Sequence, residues 1–90
     1  MDRKTAIRRL FDKMLLTNDT FKTIIQELDD YVPDNVDSLF QKTFIFCFAK
    51  IVEIEECVKF LKILGYSVKI DTPQRVNSVY VTVGWCDKVD

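Results

Sequence analysis

The sequence predicts an α+β fold, because helical periodicity fills its first two thirds and strand alternation its last quarter. The helical pattern is broken by capping and turn residues at 17–20 and 33–35, which predicts three helices. Two alternating runs separated by turn residues then predict a β-hairpin. The 90-residue chain has no internal repeat or linker, so we expect a single domain over residues 1–90.

The first predicted element is an N-terminal helical hairpin. Asp2 is a suitable N-cap for a helix from about Arg3 to Leu15, which carries its apolar residues on one face. A second helix starts after residues 17–20 and keeps its apolar period as far as Pro33. A connection of about four residues predicts that the two helices form an antiparallel or crossed pair.

A long third helix is predicted over about residues 35–64. Asp34 or Asn35 can cap its start, and Gly65 can adopt the left-handed conformation that ends it. No glycine or proline lies between Pro33 and Gly65, and apolar residues recur there at spacings of four and three, as in a heptad repeat. We expect this apolar stripe to contact a second copy or a partner. It begins with Phe40, Phe44, Cys47, Ile51 and Ile54.

Residues 43–49 have an alternative interpretation as a buried strand. The segment Thr-Phe-Ile-Phe-Cys-Phe is rich in residues that favour strands, and Phe46 falls on the polar side of the predicted helix. A strand here would create a small mixed three-stranded sheet backed by helices. The helix is the first expectation, because no loop residue lies between Ala49 and Glu53.

The C-terminal antiparallel β-hairpin is predicted over about residues 66–85. Val68 and Ile70 alternate with polar residues in its first strand, and the valines of 79–83 alternate with polar residues in its second. Residues 71–78 have the composition of a turn, and Gly84 is a candidate β-bulge. Tyr80 falls on the polar side of its strand and is expected to be exposed.

Composition disfavours several classes of function. The chain has no histidine and only two glycines, so it can form neither a histidine-based catalytic dyad nor a glycine-rich phosphate loop. Cys47, Cys57 and Cys86 lack the spacing of metal or redox sites and are interpreted as small buried hydrophobic residues. We expect no catalytic residues, no metal and no cofactor, hence a protein that is not an enzyme.

Neither membrane insertion nor secretion is indicated. The longest apolar run, Phe44 to Ala49, is far shorter than the ~18 residues expected of a membrane span. The charged N-terminus is followed by an amphipathic segment and not by the apolar core of a signal peptide. The expected location is cytoplasmic, without membrane contact.

Charge is distributed unevenly over the first half of the chain. Residues 1–14 carry five basic and two acidic side chains, whereas residues 15–41 carry one basic and six acidic side chains. The basic residues are candidates for nucleic-acid contact: Arg3, Lys4, Arg8, Arg9 and Lys13. The acidic residues predicted to bind a basic partner are Glu27, Asp29, Asp30, Asp34 and Asp37.

These features favour a small interaction module, an inhibitor or adaptor that binds and masks a protein partner and forms a homodimer through the apolar stripe. A chain of this size and balanced charge would suit an effector encoded by a virus or mobile element. The alternative is a small dimeric DNA-binding transcription regulator. It would place the basic first helix, with Lys69 and Arg75, on phosphates.

Overall fold

The computed structural model describes residues 1–74 and 76–85. Within them it contains three α-helices, two short 3₁₀ helices and a three-stranded sheet, so the predicted α+β class is confirmed. The chain divides into two compact units, Met1–Tyr31 and a second that begins at Val32. The single domain over residues 1–90 stays a prediction, and Arg75 and Cys86 lie outside the described residues.

The first unit is the predicted helical hairpin, with helix α1 at Arg3–Thr17 and helix α2 at Asp19–Asp30. Asp2 caps α1 as predicted, because its carboxylate accepts a hydrogen bond from the Thr5 backbone N–H at 2.8 Å. That hydrogen bond lowers the pKa of the Asp2 carboxyl group. A single residue, Asn18, joins the two helices in place of the predicted four.

Asn18 both ends α1 and begins α2. Its backbone N–H donates to the carbonyl oxygen of Met14, and its side-chain oxygen accepts from the N–H of Phe21, each at 2.9 Å. Asn18 is buried, and next to it the rings of Phe11 and Phe21 pack edge to face with centroids 5.4 Å apart. Because one residue caps both helices, the hairpin needs no glycine or proline.

The second unit contains the sheet and one α-helix. Strands β1 (Gln41–Cys47), β2 (Ser67–Asp71) and β3 (Ser78–Gly84) pair antiparallel in the order β1-β3-β2. Short 3₁₀ helices at Ser38–Phe40 and Phe48–Lys50 flank β1, and helix α3 occupies Ile51–Ile63. The predicted C-terminal hairpin is therefore confirmed, with β3 as the central strand.

The long helix predicted over about 35–64 is wrong. The alternative strand at 43–49 is confirmed over residues 43–47, but it begins at Gln41 and Phe44 is its one buried residue. Buried Phe44 lies between the exposed residues Thr43 and Ile45, which is the period of two of a strand. Aromatic and β-branched side chains pack well on a pleated surface, and here they pair with β3. The sheet is antiparallel throughout and not mixed.

Gly65 terminates helix α3, as predicted, and lies two residues after its last residue, Ile63. Gly65 has a φ of 103° and donates to the carbonyl oxygen of Lys62, while the N–H of Tyr66 donates to Leu61, both at 3.1 Å. This pair of bonds is a Schellman motif, which turns the chain into β2. Helix α3 contacts β2. The buried side chains of this unit are Phe44, Ile54, Cys57, Val58, Phe60, Leu61, Val68, Val79, Val81 and Val83.

Gly84 is not a bulge, because the strand register continues through it on both sides, to Gln41 and to Ser67. A Cβ atom at position 84 would lie 2.9 Å from the backbone oxygen of Phe40. That oxygen accepts a 3.1 Å hydrogen bond from the N–H of Trp85. Glycine is required here because two backbones approach closely.

Candidate functional site

The sheet of the second unit has two unlike faces. On one, the register places Phe44 and Ile70 on either side of buried Val81, so this face contributes to the core. The opposite face, which we call the open face, is exposed or partly exposed at every position. It consists of Gln41, Thr43, Ile45 and Cys47 of β1, Ser78, Tyr80, Thr82 and Gly84 of β3, and Ser67, Lys69 and Asp71 of β2.

The open face carries little charge at its centre. Charged residues make up 30% of the sequence, yet β1 and β3 contribute none to this face. Ile45 is 65% exposed and lies directly opposite Tyr80 in the register. The adjacent pair, Thr43 and Thr82, is joined by a hydrogen bond of 3.0 Å between hydroxyl groups. The part of the open face formed by β1 and β3 is therefore uncharged, with one exposed aliphatic and one aromatic side chain, as is typical of the centre of a protein interface. Strand β2 adds charge at the side, where Asp71 lies opposite Tyr80.

A pocket of about 270 Å³ opens at one end of this face. Gly84 leaves part of that space open, since it has no side chain, and Lys69 supplies the cation among the lining residues. The volume is below the range of about 300–1,000 Å³ typical of small-molecule sites and suits one large side chain of a partner. The lining residues are Phe40, Gln41, Ser67, Lys69, Thr82, Gly84 and Trp85.

Sequence reasoning found one half of this site and missed the other. Tyr80 was predicted on the polar side of its strand, and the structure places it partly exposed on the open face. Ile45 was not predicted as a site residue, because the favoured interpretation places it in a helix and not on the face of a sheet. The signal was present in the strand interpretation, in which Ile45 alternates with Phe44 and Phe46.

The residues of the predicted apolar stripe do not share a surface. Phe40 belongs to the 3₁₀ helix before β1, whereas Phe44 and Cys47 lie on opposite faces of β1. Ile51 and Ile54 lie in the first turn of α3. The prediction of a single contact surface is therefore wrong, because the residues of the apolar stripe do not lie on one helix.

The predicted basic residues are all exposed on α1: Arg3, Lys4, Arg8, Arg9 and Lys13. Arg3 and Lys4 occupy the first turn, where the helix dipole disfavours positive charge, and the N-cap carboxylate of Asp2 supplies negative charge at this end. Nucleic-acid contact through this group stays a prediction. Lys69, the other described residue of the DNA-binding hypothesis, lies on the open face of the second unit.

The predicted acidic residues are divided between the two units. Glu27, Asp29 and Asp30 are exposed at the C-terminal end of α2, where the helix dipole disfavours negative charge and the last turn has no basic residue. Asp34 and Asp37 are exposed in the segment before the first 3₁₀ helix. Recognition of a basic partner by these carboxylates stays a prediction.

The two described cysteines have different environments. Burial, together with the nearby carboxylates of Glu53 and Glu56, raises the pKa of the Cys57 thiol to about 12, so this thiol is protonated at neutral pH. Cys47 is exposed on the open face. Interpretation of the cysteines as buried hydrophobic residues is confirmed for Cys57 and wrong for Cys47, and Cys86 lies outside the described residues.

Residues 1–74 and 76–85 contain neither a metal-binding cluster nor a membrane-spanning helix. There, no group of three or more cysteine, aspartate or glutamate side chains is placed to hold a metal ion. No helix in the same ranges is long and apolar enough to cross a membrane.

Comparisons with known proteins give no guide to function. No protein-family model matches the sequence, and neither a curated protein nor a solved structure matches it. The functional argument therefore depends on the surfaces that these residues form.

Proposed function

We propose that this protein is a small interaction module that binds a protein partner through the open face and acts as an inhibitor or adaptor by masking the surface it covers. The observation that supports this most is the uncharged centre of the face, where exposed Ile45 lies opposite Tyr80. Interface centres are depleted of charge and enriched in aromatic residues, tyrosine in particular.

The pocket beside this centre defines what the partner must offer. Its lining is more polar than apolar, because Gln41, Ser67 and Thr82 supply polar groups beside the rings of Phe40 and Trp85. Lys69 at the same pocket favours an acidic group. We therefore expect a partner that presents an acidic side chain at this pocket.

Replacing Tyr80 by lysine tests the proposal, because it places a charge at the centre of the open face. Val52→Lys is the matched control, since Val52 is exposed on α3 and outside that face. Proteins captured from a cell lysate by the native chain should also be captured by Val52→Lys and be depleted about tenfold or more with Tyr80→Lys. Circular dichroism confirms that both variants are folded.

A second measurement locates the surface directly. Binding of a captured and purified partner should slow hydrogen exchange in β1 and β3 more than in α1. Equal capture by the native chain and both variants would contradict a role for the open face, and protection confined to α1 or α2 would move the site to the first unit.

DNA binding is the second candidate function, favoured by the five exposed basic residues on α1 against one carboxylate, Asp12. A helix of this kind neutralises phosphates, so duplex affinity should fall steeply between about 50 and 200 mM salt. The double variant Arg8→Ala and Arg9→Ala should bind more weakly and with a smaller salt slope. A mobility shift that shows no duplex binding, or binding that is insensitive to salt, would remove this candidate.

A further inference from the structure

Strand β1 forms one edge of the sheet, and two hydrogen bonds show which of its backbone groups face outward. The carbonyl oxygen of Phe40 accepts from the N–H of Trp85, and the N–H of Phe48 donates to the carbonyl of Asn77. Both pairs fit the β1–β3 register, and their residues on the β1 side, Phe40 and Phe48, are separated by an even number of positions. In an antiparallel pair hydrogen bonding alternates, so the even-numbered residues of β1 bond to β3 and the odd-numbered residues point away.

The outward-facing backbone groups of β1 include those of Thr43, Ile45 and Cys47. Among residues 1–74 and 76–85, no backbone hydrogen bond outside the sheet is made by these three residues. All three are also exposed. An exposed edge with free N–H and C=O groups is a template for a further strand.

The other edge of the sheet, β2, offers much less. The same alternation through β3 leaves only Val68 and Ile70 of β2 facing outward. Strand β2 has five residues against seven in β1, and two of the five, Lys69 and Asp71, are charged. Short length and charge are the features by which edge strands avoid pairing.

The sequence of β1 is complementary to itself when two copies lie antiparallel with Phe44 opposite its own counterpart. In this register Thr43 faces Ile45 of the second copy, so the outward-facing residues of both copies meet and form ladder hydrogen bonds. The one charged residue of the strand, Lys42, faces Phe46 and not another lysine.

Just beyond the strand, Phe40 ends one 3₁₀ helix and Phe48 begins the next. The same register brings Phe40 of one copy near Phe48 of the other, and this pair occurs twice because the arrangement is symmetric. These phenylalanines are 43% and 45% exposed in the single chain, so both side chains are accessible to a second copy. An aromatic pair at each end adds apolar contact to the backbone hydrogen bonds.

We infer that a second copy of this chain binds along β1 to form a symmetric dimer with a continuous six-stranded sheet, the β1 strands pairing antiparallel about Phe44. The occupant is a second copy because every position of the strand meets a compatible residue of the same strand. The inference does not depend on the proposed function, since it uses the backbone groups of β1 and not the side chains at the centre of the open face. In the dimer the two open faces lie side by side on one surface.

Proline substitution separates the two edges of the sheet. Ile45→Pro removes an outward N–H of β1 without removing a bond to β3, and Ile70→Pro does the same on β2. Sedimentation equilibrium should show a dimer for the native chain and for Ile70→Pro, with dimerisation about 100-fold or more weaker for Ile45→Pro. Thr43→Pro, also outward-facing, replaces Ile45→Pro if circular dichroism shows that the latter is unfolded.

Two outcomes of this experiment would overturn the inference. One is a native chain that stays monomeric at every concentration reached. The other is equal dimerisation of the β1 and β2 proline variants. Tyr80→Lys leaves both edges intact and should still dimerise, so loss of partner binding and loss of dimerisation are distinguishable.

A disulfide tests the register itself. With Phe44 at the centre, residue 41 of one copy lies opposite the native Cys47 of the other, at about 5.5 Å between Cα atoms, within the range of a disulfide. In a Cys86→Ser background, Gln41→Cys should therefore form a covalent dimer on oxidation, seen on a non-reducing gel. Thr43→Cys in the same background lies opposite Ile45 and should crosslink about tenfold less. Equal crosslinking of the two, or none with Gln41→Cys, would contradict this register.

Discussion

Strands β1 and β2 pair with the same central strand, yet they form edges of opposite character. Strand β2 is short, and two of its five residues are charged. Strand β1 is longer, carries one charged residue, and leaves three exposed residues with backbone groups facing outward. The two edges of one sheet can therefore differ in their capacity to pair with a further strand. The short length and the charges of β2 disfavour pairing, and β1 lacks these features.

The difference between the strands extends to the core. Phe44 of β1 and Ile70 of β2 flank Val81 in one row across the sheet. Phe44 is 4% exposed and Ile70 is 38% exposed. The β1 side of this row is therefore well buried, whereas the β2 side is partly open to solvent.

Truncation of a buried side chain in this row should have the largest effect on stability. Phe44→Ala removes a buried ring and should lower the free energy of unfolding by about 3–5 kcal/mol. Ile70→Ala, the matched control, removes a partly exposed side chain and should cost about 1 kcal/mol. Urea denaturation measures both, and equal losses would show that the two sides of the row contribute equally.

Replacement of Gly84, which pairs with both edge strands, should have an intermediate effect on stability. A Cβ atom there would lie 2.9 Å from the Phe40 oxygen on the β1 side but 3.5 Å from the Ser67 side chain on the β2 side. Gly84→Ala should therefore destabilise the protein by about 1–3 kcal/mol, through displacement of β1.

Gly65→Ala is the control for Gly84→Ala, because position 65 has open space and its cost arises from positive φ. Hydrogen exchange distinguishes the two variants. Gly84→Ala should increase exchange at the start of β1, and Gly65→Ala at the end of α3. Faster exchange confined to β2 in Gly84→Ala would contradict the asymmetry of the two edges.

The smallest effect at neutral pH concerns the cysteines. Exposed Cys47 of β1 should react with iodoacetamide while buried Cys57 of α3 does not, as peptide mapping would show. The pKa of Cys57 is raised from 9.0 to about 12, so folding favours the protonated thiol. Its contribution to stability is complete below pH 9 and is lost as the pH rises towards 12.

The variant Cys57→Ala separates the pH dependence of stability that arises from Cys57 from the part that arises from other groups. The difference in free energy of unfolding between the native protein and Cys57→Ala should shrink as the pH rises from 9 to 12. A constant difference over that interval, or rapid alkylation of Cys57 in the folded protein, would contradict the burial of this thiol.

Local chemistry made the termini of most elements predictable. Asp2 at the start of α1 and Gly65 at the end of α3 act as caps through bonds to residues a few positions away, so their roles are visible in a short stretch of sequence. The alternation of β3 was equally visible, because its valines are buried on one side only. These features depend little on the rest of the fold.

Strand β1 was harder to predict because its sequence fits two periods. Phe40, Phe44 and Cys47 have helical spacing, while Phe44 and Phe46 have strand spacing, and no glycine or proline decides between them. The connection to α3 is a 3₁₀ helix, Phe48–Lys50, which needs neither of those residues. Pairing with β3, a contact distant in sequence, decides the structure.

The candidate site was predictable only in part for the same reason. Exposure of Tyr80 followed from alternation within its own strand. Its position opposite Ile45, and the outward direction of the β1 backbone groups, follow from the register between strands and not from any short segment.

The one-residue junction at Asn18 limits how this protein can change in length. Each residue turns an α-helix by about 100°, so one residue inserted at Asn18 would rotate α2 and carry buried Phe21 and Ile24 towards solvent. Insertion between β2 and β3 disturbs the fold less, since these two strands are aligned by their own hydrogen bonds. Epitope tags and fluorescent labels are therefore best introduced between β2 and β3, and length variation among natural variants should concentrate there.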